Sequence, residues 1–207
     1  MALVTRKATQ PAEPGVPKQQ RNCKELAAAL DDIDTVVRRH AARDIVACPH
    51  GATELVRRLK REQDAAVREA ILNTLVRLND SSAISGLVDC LRSEDAALRN
   101  EVIDTFRQLG NEVAPILRSL LADSDPDVRI FAVNILDSAR HPEVERWLIE
   151  LIERDAHVNV CATAGDLLCE VGTDAAIDPL VRLKTRFRSE AYIQFAADLA
   201  LKRIRED

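Results

Sequence analysis

An aspartate followed four residues later by an arginine recurs along this chain, and it is the pairing of residue types most able to do chemistry. Its aspartates stand 30, 31, 30 and 30 residues apart, and the fifth copy has Asn159 in place of arginine. A row of guanidinium groups can bind phosphate or carboxylate ligands. Each arginine here arrives with its own acid, however, so the charges cancel and we predict a structural ladder between stacked units. The ladder consists of Asp34, Arg38, Asp64, Arg68, Asp95, Arg99, Asp125, Arg129 and Asp155.

The other residues that could support chemistry are few and scattered. Cys48 and His50 are two residues apart, but two ligands do not make a metal site, and the intervening Pro49 followed by Gly51 indicates a turn between helices. No Ser-His-Asp order, glycine-rich phosphate loop or paired-carboxylate motif stands out. We therefore predict no catalytic residue, no metal site and no bound cofactor.

Composition favours an all-α protein with an aliphatic core. Hydrophobic residues make up 46% of the 207 residues but aromatic residues only 3%, and no stretch alternates as a half-buried strand does. A net charge of −5 argues against a protein that coats nucleic acid or an anionic membrane. An odd count of five cysteines without a CxxC pair predicts reduced thiols in a cytoplasmic protein.

The elements that position the Asp–Arg pairs are predicted to be paired helices at a period near 30 residues. Residues 1–21, with three prolines, are expected to form a disordered tail, and residues 22–207 a solenoid. A lone helix near residues 24–30 precedes the pairs. The first helices are predicted at about 34–47, 64–78, 95–109, 125–139 and 155–171, and the second helices at about 51–61, 81–92, 112–122, 142–154 and 174–186. A last helix is predicted at about 189–205.

Each first helix is expected to start at its aspartate, which can accept hydrogen bonds from the free amides of the first turn. Pro126 at the first helical position supports this reading, because proline lacks the amide that would be unpaired there. In the fifth copy Asp166 occupies a place where the other copies have Leu75, Phe106 and Leu136, so that unit is predicted to shift register or bend the stack. The fold class is therefore a right-handed α-solenoid, an alpha-alpha superhelix of about five and a half helix pairs.

The repeated pattern D-x-x-[VL]-R, followed by A-[VI]-x-x-L-[IV]-x-x-L, resembles the short HEAT-like repeats of the phycobilin (PBS) lyase type. This resemblance covers residues 23–205 and implies a bacterial interaction module, since the family includes many adaptors. A HEAT-type iron hydroxylase would require repeated His-Glu pairs, which are absent. A HEAT-like DNA glycosylase would require a basic surface with aromatic residues. A bilin-lyase-like subunit that binds a tetrapyrrole or modifies a partner protein has no compact signature to test, so it stays the alternative.

In such solenoids the second helices line the concave face, where partners dock. We predict a non-enzymatic scaffold or adaptor in the cytoplasm that binds another protein, with no nucleic acid and no membrane among its partners. The mixed charges on the second helices suit recognition of a protein surface, and an exposed tryptophan there would be the natural hot spot. The predicted partner-binding residues are Arg57, Arg58, Asp89, Arg118, Trp147, Glu150 and Arg182.

Overall fold

A computed structural model of the chain describes residues 22–138 and 141–206. Across this described part there are twelve α-helices and no strand. They are α1 (Cys23–Ala29), α2 (Thr35–Asp44), α3 (Gly51–Leu59), α4 (Ala65–Leu78), α5 (Ser81–Cys90), α6 (Ala96–Leu109), α7 (Ala114–Leu120), α8 (Pro126–Leu136), α9 (Val144–Arg154), α10 (Val158–Val171), α11 (Ile177–Arg186) and α12 (Ala191–Glu206). The predicted N-terminal tail, residues 1–21, lies outside the described residues.

The helices stack in a single line. The even-numbered first helices pack on one another in order, α2 on α4 and so on to α10 on α12, and the second helices pack beside them, as α3 does on α5 and α9 on α11. The all-α solenoid predicted from the sequence is thus confirmed. Within the described residues it consists of five complete units, from α2–α3 to α10–α11, with α1 before them and α12 after them.

The first four aspartates of the repeated pattern cap the first helices, as predicted. Asp34, Asp64, Asp95 and Asp125 each stand in extended backbone just before α2, α4, α6 and α8, and each side chain accepts a hydrogen bond from a first-turn amide. Such a bond satisfies one of the amides that have no partner inside the helix. The period of the sequence therefore sets the positions at which the helices begin.

The fifth first helix begins later than predicted. We expected it to start at Asp155, but α10 begins at Val158, with His157 at the N-cap and no side-chain cap. The Asp155 carboxylate accepts hydrogen bonds from the Arg129 side chain and from the His157 amide instead. Asp155 stands in extended backbone directly at the end of α9, and two further residues precede the first turn of α10.

The prediction of five reduced thiols is wrong for two of them. Cys23 and Cys48 form a disulfide that ties α1 to the turn between α2 and α3. Cys90, Cys161 and Cys169 are free, and burial raises the pKa of Cys90 and of Cys161 to about 11. At neutral pH these two thiols are protonated and unreactive, since the thiolate is the nucleophilic form. The spacing that sequence analysis used, CxxC, could not reveal a pair separated by 25 residues.

Candidate interaction surface

The arginines of the repeated pattern connect each unit to the next. Arg129 on α8 donates to both carboxylate oxygens of Asp155, at 2.6 and 3.1 Å. Arg68 on α4 donates to Asp95 at 3.0 Å and also pairs with Glu101 at 3.2 Å. The acid that each of these arginines meets therefore belongs to the adjacent unit, rather than to its own copy of the pattern.

The same arginines also reach back to the loop that precedes their own helix. Arg38, Arg99 and Arg129 each donate from Nη1 to the main-chain carbonyl six residues earlier, at 2.9, 2.5 and 2.7 Å. Carbonyls that follow a helix lack partners inside it, so a guanidinium placed there satisfies them. One arginine thus closes the loop between two units. Arg38 and Arg129 each also bind an acid in the segment that leads into the next unit.

Two arginines depart from the predicted Asp–Arg pairing. Arg38 meets Glu62 rather than Asp64, at 2.8 and 3.0 Å, because Glu62 lies buried just before the second unit begins. Arg99 has no ion pair among the described residues, and its guanidinium lies over the ring of Phe131 on α8, 5.8 Å from the centroid. The ladder is therefore a row of contacts between adjacent first helices with different acceptors, not four equivalent Asp–Arg pairs.

In the fifth unit an arginine from another helix takes this place. Because α10 starts late, Cys161 stands at the position of the repeated arginine, and its Sγ contacts the Asp155 carbonyl six residues earlier at 3.2 Å. Arg186 on α11 donates to the carbonyls of Ile152, Glu153 and Asp155, at 2.6 to 2.9 Å. Sequence analysis missed this role of Arg186. Asn159 in place of the repeated arginine was the signal in the sequence that a different cation binds the carbonyls of this loop.

Glu62 is the most strongly held acid between two units. Its carboxylate accepts hydrogen bonds from Arg38, from Arg58 at 2.8 Å, and from the amides of Gln63 and Asp64 at 3.0 Å. Burial alone would raise the pKa of Glu62, but the Arg38 side chain, the Asp64 amide and Arg58 together lower it to about 2. The predicted partner-binding residue Arg58 is consequently half-buried and already engaged within the chain.

The other predicted partner-binding charges are Arg57, Asp89, Arg118, Glu150 and Arg182, and all but the half-buried Glu150 are exposed on the second helices. Three charges that were not predicted, Lys60, Arg92 and Glu153, lie near or just beyond the C-terminal ends of the same helices. We call these eight residues the second-helix row. Its basic members outnumber its acidic members by five to three. The structure brings four predicted residues, Arg57, Asp89, Glu150 and Arg182, into ion pairs at this surface.

Ion pairs along the second-helix row cross the boundaries between units. Arg57 binds Asp31 at 2.9 Å, Lys60 binds Asp89 at 3.3 Å and Arg92 binds Asp123 at 2.6 Å. Glu153 and Arg182 form a further pair near the far end. Exposed pairs of this kind add little to stability. They do favour particular positions of the long side chains, so the row presents a partly preorganised pattern of charge.

Arg118 is the exception near the middle of the second-helix row. It is exposed on α7, and the described residues supply no ion pair for it. The neighbouring pairs leave it as a cation available to an external acid. Sequence analysis had included Arg118 among seven residues, but nothing in the spacing could separate it from the others.

Trp147 does not belong to the exposed surface, which corrects the prediction that it could act as a hot spot. Its side chain is 6% exposed on α9 and stacks on His141, with the ring centroids 4.9 Å apart. A tryptophan at helical spacing with the buried Val144, Leu148 and Leu151 fills the core. A partner cannot reach it without opening the unit.

Two shallow grooves lie on the opposite side, between neighbouring first helices. The groove between α4 and α6 is about 220 Å³ and the groove between α8 and α10 is about 240 Å³. Both are rich in carboxylates and carboxamides, and burial raises the pKa of Glu101, beside the first groove, despite the charge of Arg68. In the described part of the chain no three His, Cys, Asp or Glu side chains converge so as to hold a metal ion. None of the helices described is both long enough and apolar enough to span a membrane.

The stacked helix pairs define the chain as an α-solenoid built from short helical repeats. The family model for HEAT repeats matches residues 23–107, 52–125 and 113–202. The chain belongs to the HEAT-repeat family, which confirms the resemblance found in the sequence. No curated protein is similar enough to the chain to count as a match.

Several solved structures are similar to this chain along most of its length. An engineered protein is 18% identical, with 89% of this chain and 96% of that chain covered and a TM-score of 0.42. The TOG3 domain of Mini spindles from Drosophila melanogaster is 15% identical, with 86% and 94% covered and a TM-score of 0.48. The complex of CpcE and CpcF of phycocyanin lyase from Nostoc sp. is 15% identical, with 95% and 100% covered and a TM-score of 0.38.

Proposed function

We propose that this protein is a non-enzymatic scaffold that binds another protein through the second-helix row. The observation that carries the proposal is the set of ion pairs that hold the exposed charges of this row across unit boundaries. Binding costs conformational entropy for each long side chain that must be ordered. Side chains already restricted by their neighbours reduce that cost, so the row suits recognition of a complementary protein surface.

The proposed partner surface is mixed in charge with an acidic centre. The row contains both basic and acidic groups, and mixed charge selects one orientation of a folded protein better than it selects a uniform polyanion. Arg118 is its proposed anchor, because this exposed cation is not engaged by an acid of the described residues. An aspartate or glutamate of the partner would then pair with Arg118 on docking.

Affinity capture from a lysate of the native host tests this proposal. The intact chain is compared with a variant carrying Arg118→Glu and Arg182→Glu, two exposed residues whose reversal leaves the core untouched. The matched control is Arg77→Glu, an exposed arginine on the first helix α4. Circular dichroism first establishes that all three proteins are equally helical.

The proposal expects a defined protein that the intact chain and the Arg77→Glu control retain and that the double variant loses at least tenfold. Equal retention by all three proteins would contradict the assignment of this face. If the intact chain retains no protein and instead carries a pigment, the tetrapyrrole-binding, lyase-like alternative replaces the scaffold.

A further inference from the structure

The two ends of the described solenoid are unmatched halves of a unit. The helix α1 has the place of a second helix, since it packs on α2 as α3 packs on α4, but no first helix precedes it among the described residues. The helix α12 has the place of a first helix, packing on α10 and α11, and the described residues hold no second helix after it. Together, α12 and α1 would make one complete unit.

Large exposed apolar side chains of the described residues lie near these two ends. Between residues 37 and 170, no large apolar side chain of the described residues is exposed. Seven are exposed outside that range, two near the N-terminal end and five near the C-terminal end: Ile33, Val36, Val171, Val181, Tyr192, Phe195 and Leu199. Ile33 is 97% exposed and Phe195 is 63% exposed. Terminal repeats of a solenoid that remains single need polar outer faces, and the exposed apolar side chains at these ends depart from that requirement.

Val181 on α11 is an exposed apolar residue at the C-terminal end of the described solenoid. Its equivalent in the first unit is Val56 on α3, because each follows a fully buried leucine. Val56 abuts α5 so closely that a Cβ added to Gly86 would lie 2.2 Å from Val56 Cγ2. Val181 is 45% exposed, since the described residues place no further second helix against it.

The first helix at this end is uncovered in the same way. Ile193 of α12 and Val67 of α4 are both fully buried. We take them as equivalent, so a residue of α12 corresponds to the residue of α4 that is 126 positions earlier in the sequence. Glu69 and Asn73 of α4 line the groove shared with the next first helix, α6. Their equivalents on α12 are Phe195 and Leu199, two apolar residues where the interior unit has polar ones.

The N-terminal end offers a chemically matching surface. Glu101 and Asp104 of α6 line the groove that α6 shares with the preceding first helix, α4. The equivalent residues of α2, 61 positions earlier in the sequence, are His40 and Arg43. Both are exposed. A cation of α2 can lie on the Phe195 ring of another copy, as the guanidinium of Arg99 lies on the Phe131 ring between α6 and α8.

We propose that copies of this chain associate head to tail, with α12 of one copy packed against α1 and α2 of the next. The α12 helix and the α1 helix of the next copy then form a complete unit, and Val181, Phe195 and Leu199 are covered as interior side chains are. Such a contact joins two different surfaces, so it leaves one free surface at each end and generates open chains of copies. This association does not depend on the proposed scaffold function.

Analytical ultracentrifugation of the oxidised 207-residue chain tests the proposal over a concentration range of about a hundredfold. The expected weight-average mass rises with concentration through dimer and longer species. A C-terminal variant, Phe195→Asp with Leu199→Asp, and an N-terminal variant, Ile33→Asp with Val36→Asp, are each expected to stay monomeric. Asn73→Asp, at the interior position equivalent to Leu199, is the matched control and is expected to associate like the intact chain.

Mixing the two end variants distinguishes this contact from a symmetric dimer. Each variant keeps one functional end, so an equimolar mixture is expected to form a 1:1 heterodimer and nothing longer. An intact chain that remains monomeric throughout the concentration range would overturn the proposal. An N-terminal variant that still dimerises by itself would also overturn it, because the contact would then join two copies of α12.

Discussion

The guanidinium of Arg129 and the carboxylate of Asp155 form a two-point contact between the fourth and fifth units, with N–O distances of 2.6 and 3.1 Å. Both side chains are largely buried, at 15% and 6% exposure. Arg129 also donates to the Asp123 carbonyl, so a single residue joins the loop after α7, its own helix α8 and the end of α9. A lysine carries the charge but cannot reproduce this planar geometry.

Arg129→Lys is therefore expected to lower the free energy of unfolding by about 1–2 kcal/mol, and Asp155→Ala by about 2–3 kcal/mol, because the latter leaves a buried cation without its acid. Urea unfolding followed by circular dichroism at neutral pH measures both. Asp34→Ala is the contrasting variant, since it removes only an exposed helix cap worth about 1 kcal/mol. Equal losses in all three variants would show that the contact between units contributes nothing beyond the caps.

Glu62 predicts a pH dependence of stability. Its pKa is lowered to about 2 in the folded chain, against an ordinary value of 4.5. A lowered carboxyl pKa stabilises the fold above the ordinary value, and this contribution is lost as the pH falls from about 5 towards 2. At neutral pH Glu62→Gln is expected to be less stable than the intact chain by about 3 kcal/mol, and the difference is expected to shrink below pH 4.

Chemical unfolding of both proteins at several pH values between 7 and 3 measures that difference. Glu69→Gln, an exposed acid on α4, supplies the control and is expected to change stability little at any pH. A gap between Glu62→Gln and the intact chain that stays constant down to pH 3 would contradict the role given to the ionised carboxylate.

The close approach of Gly86 to Val56 predicts an unusual response to alanine. In an exposed helix, Gly→Ala is stabilising by about 1 kcal/mol. Here the added Cβ would lie 2.2, 2.8 and 3.0 Å from three atoms of the Val56 side chain, which is short and stiff. Gly86→Ala is therefore expected to destabilise the chain by about 1–2 kcal/mol.

A second substitution separates this clash from a general intolerance of α5. Val56→Ala removes the methyl groups that a Cβ at position 86 would meet, so Gly86→Ala combined with Val56→Ala is expected to be at least as stable as Val56→Ala alone. Thermal unfolding of the two single variants and the double variant measures the coupling. Strictly additive losses would mean that α3 and α5 do not pack through these two residues.

The disulfide predicts that a reductant weakens the N-terminal end of the solenoid. Cys23 and Cys48 are 25 residues apart, and closing a loop of that size is worth about 3 kcal/mol. A thiol assay in denaturant without reductant is expected to find three free thiols and, after reduction, five. Reduction is expected to lower the melting temperature of the intact chain and to leave the melting temperature of the Cys23→Ser variant unchanged. Five thiols before reduction would contradict the bond.

The fold could be predicted from local sequence because each unit repeats the same pattern of residues. An aspartate cap, an aliphatic residue three positions later and a period near 30 residues specify where α2, α4, α6 and α8 begin. The start of the first helix in the fifth unit was predicted wrongly, since Asp155 looks like another helix cap in the sequence. Asp95 both caps α6 and binds Arg68, whereas Asp155 binds Arg129 and caps no helix, and the sequence period alone does not distinguish these two aspartates.

The surface was less predictable than the fold. Spacing placed Arg57, Asp89, Arg118 and Arg182 on the outside of the second helices correctly, but also placed Trp147 there, although it is buried. Helical periodicity predicts only roughly on which side of a helix a side chain lies. The distinction between Arg58, bound to Glu62, and Arg118, with no acid partner among the described residues, depends on long-range pairs.

The central claim is that the second-helix row contacts a protein partner, and site-specific photo-crosslinking in the native host tests it most directly. A photoreactive amino acid replaces Ser119, which is exposed on α7 beside the proposed anchor Arg118, in one protein and Asn73, exposed on the first helix α4, in another. The account predicts a discrete heavier adduct from position 119 and none from position 73. An adduct from position 73 alone, or the absence of any adduct from position 119, would contradict it.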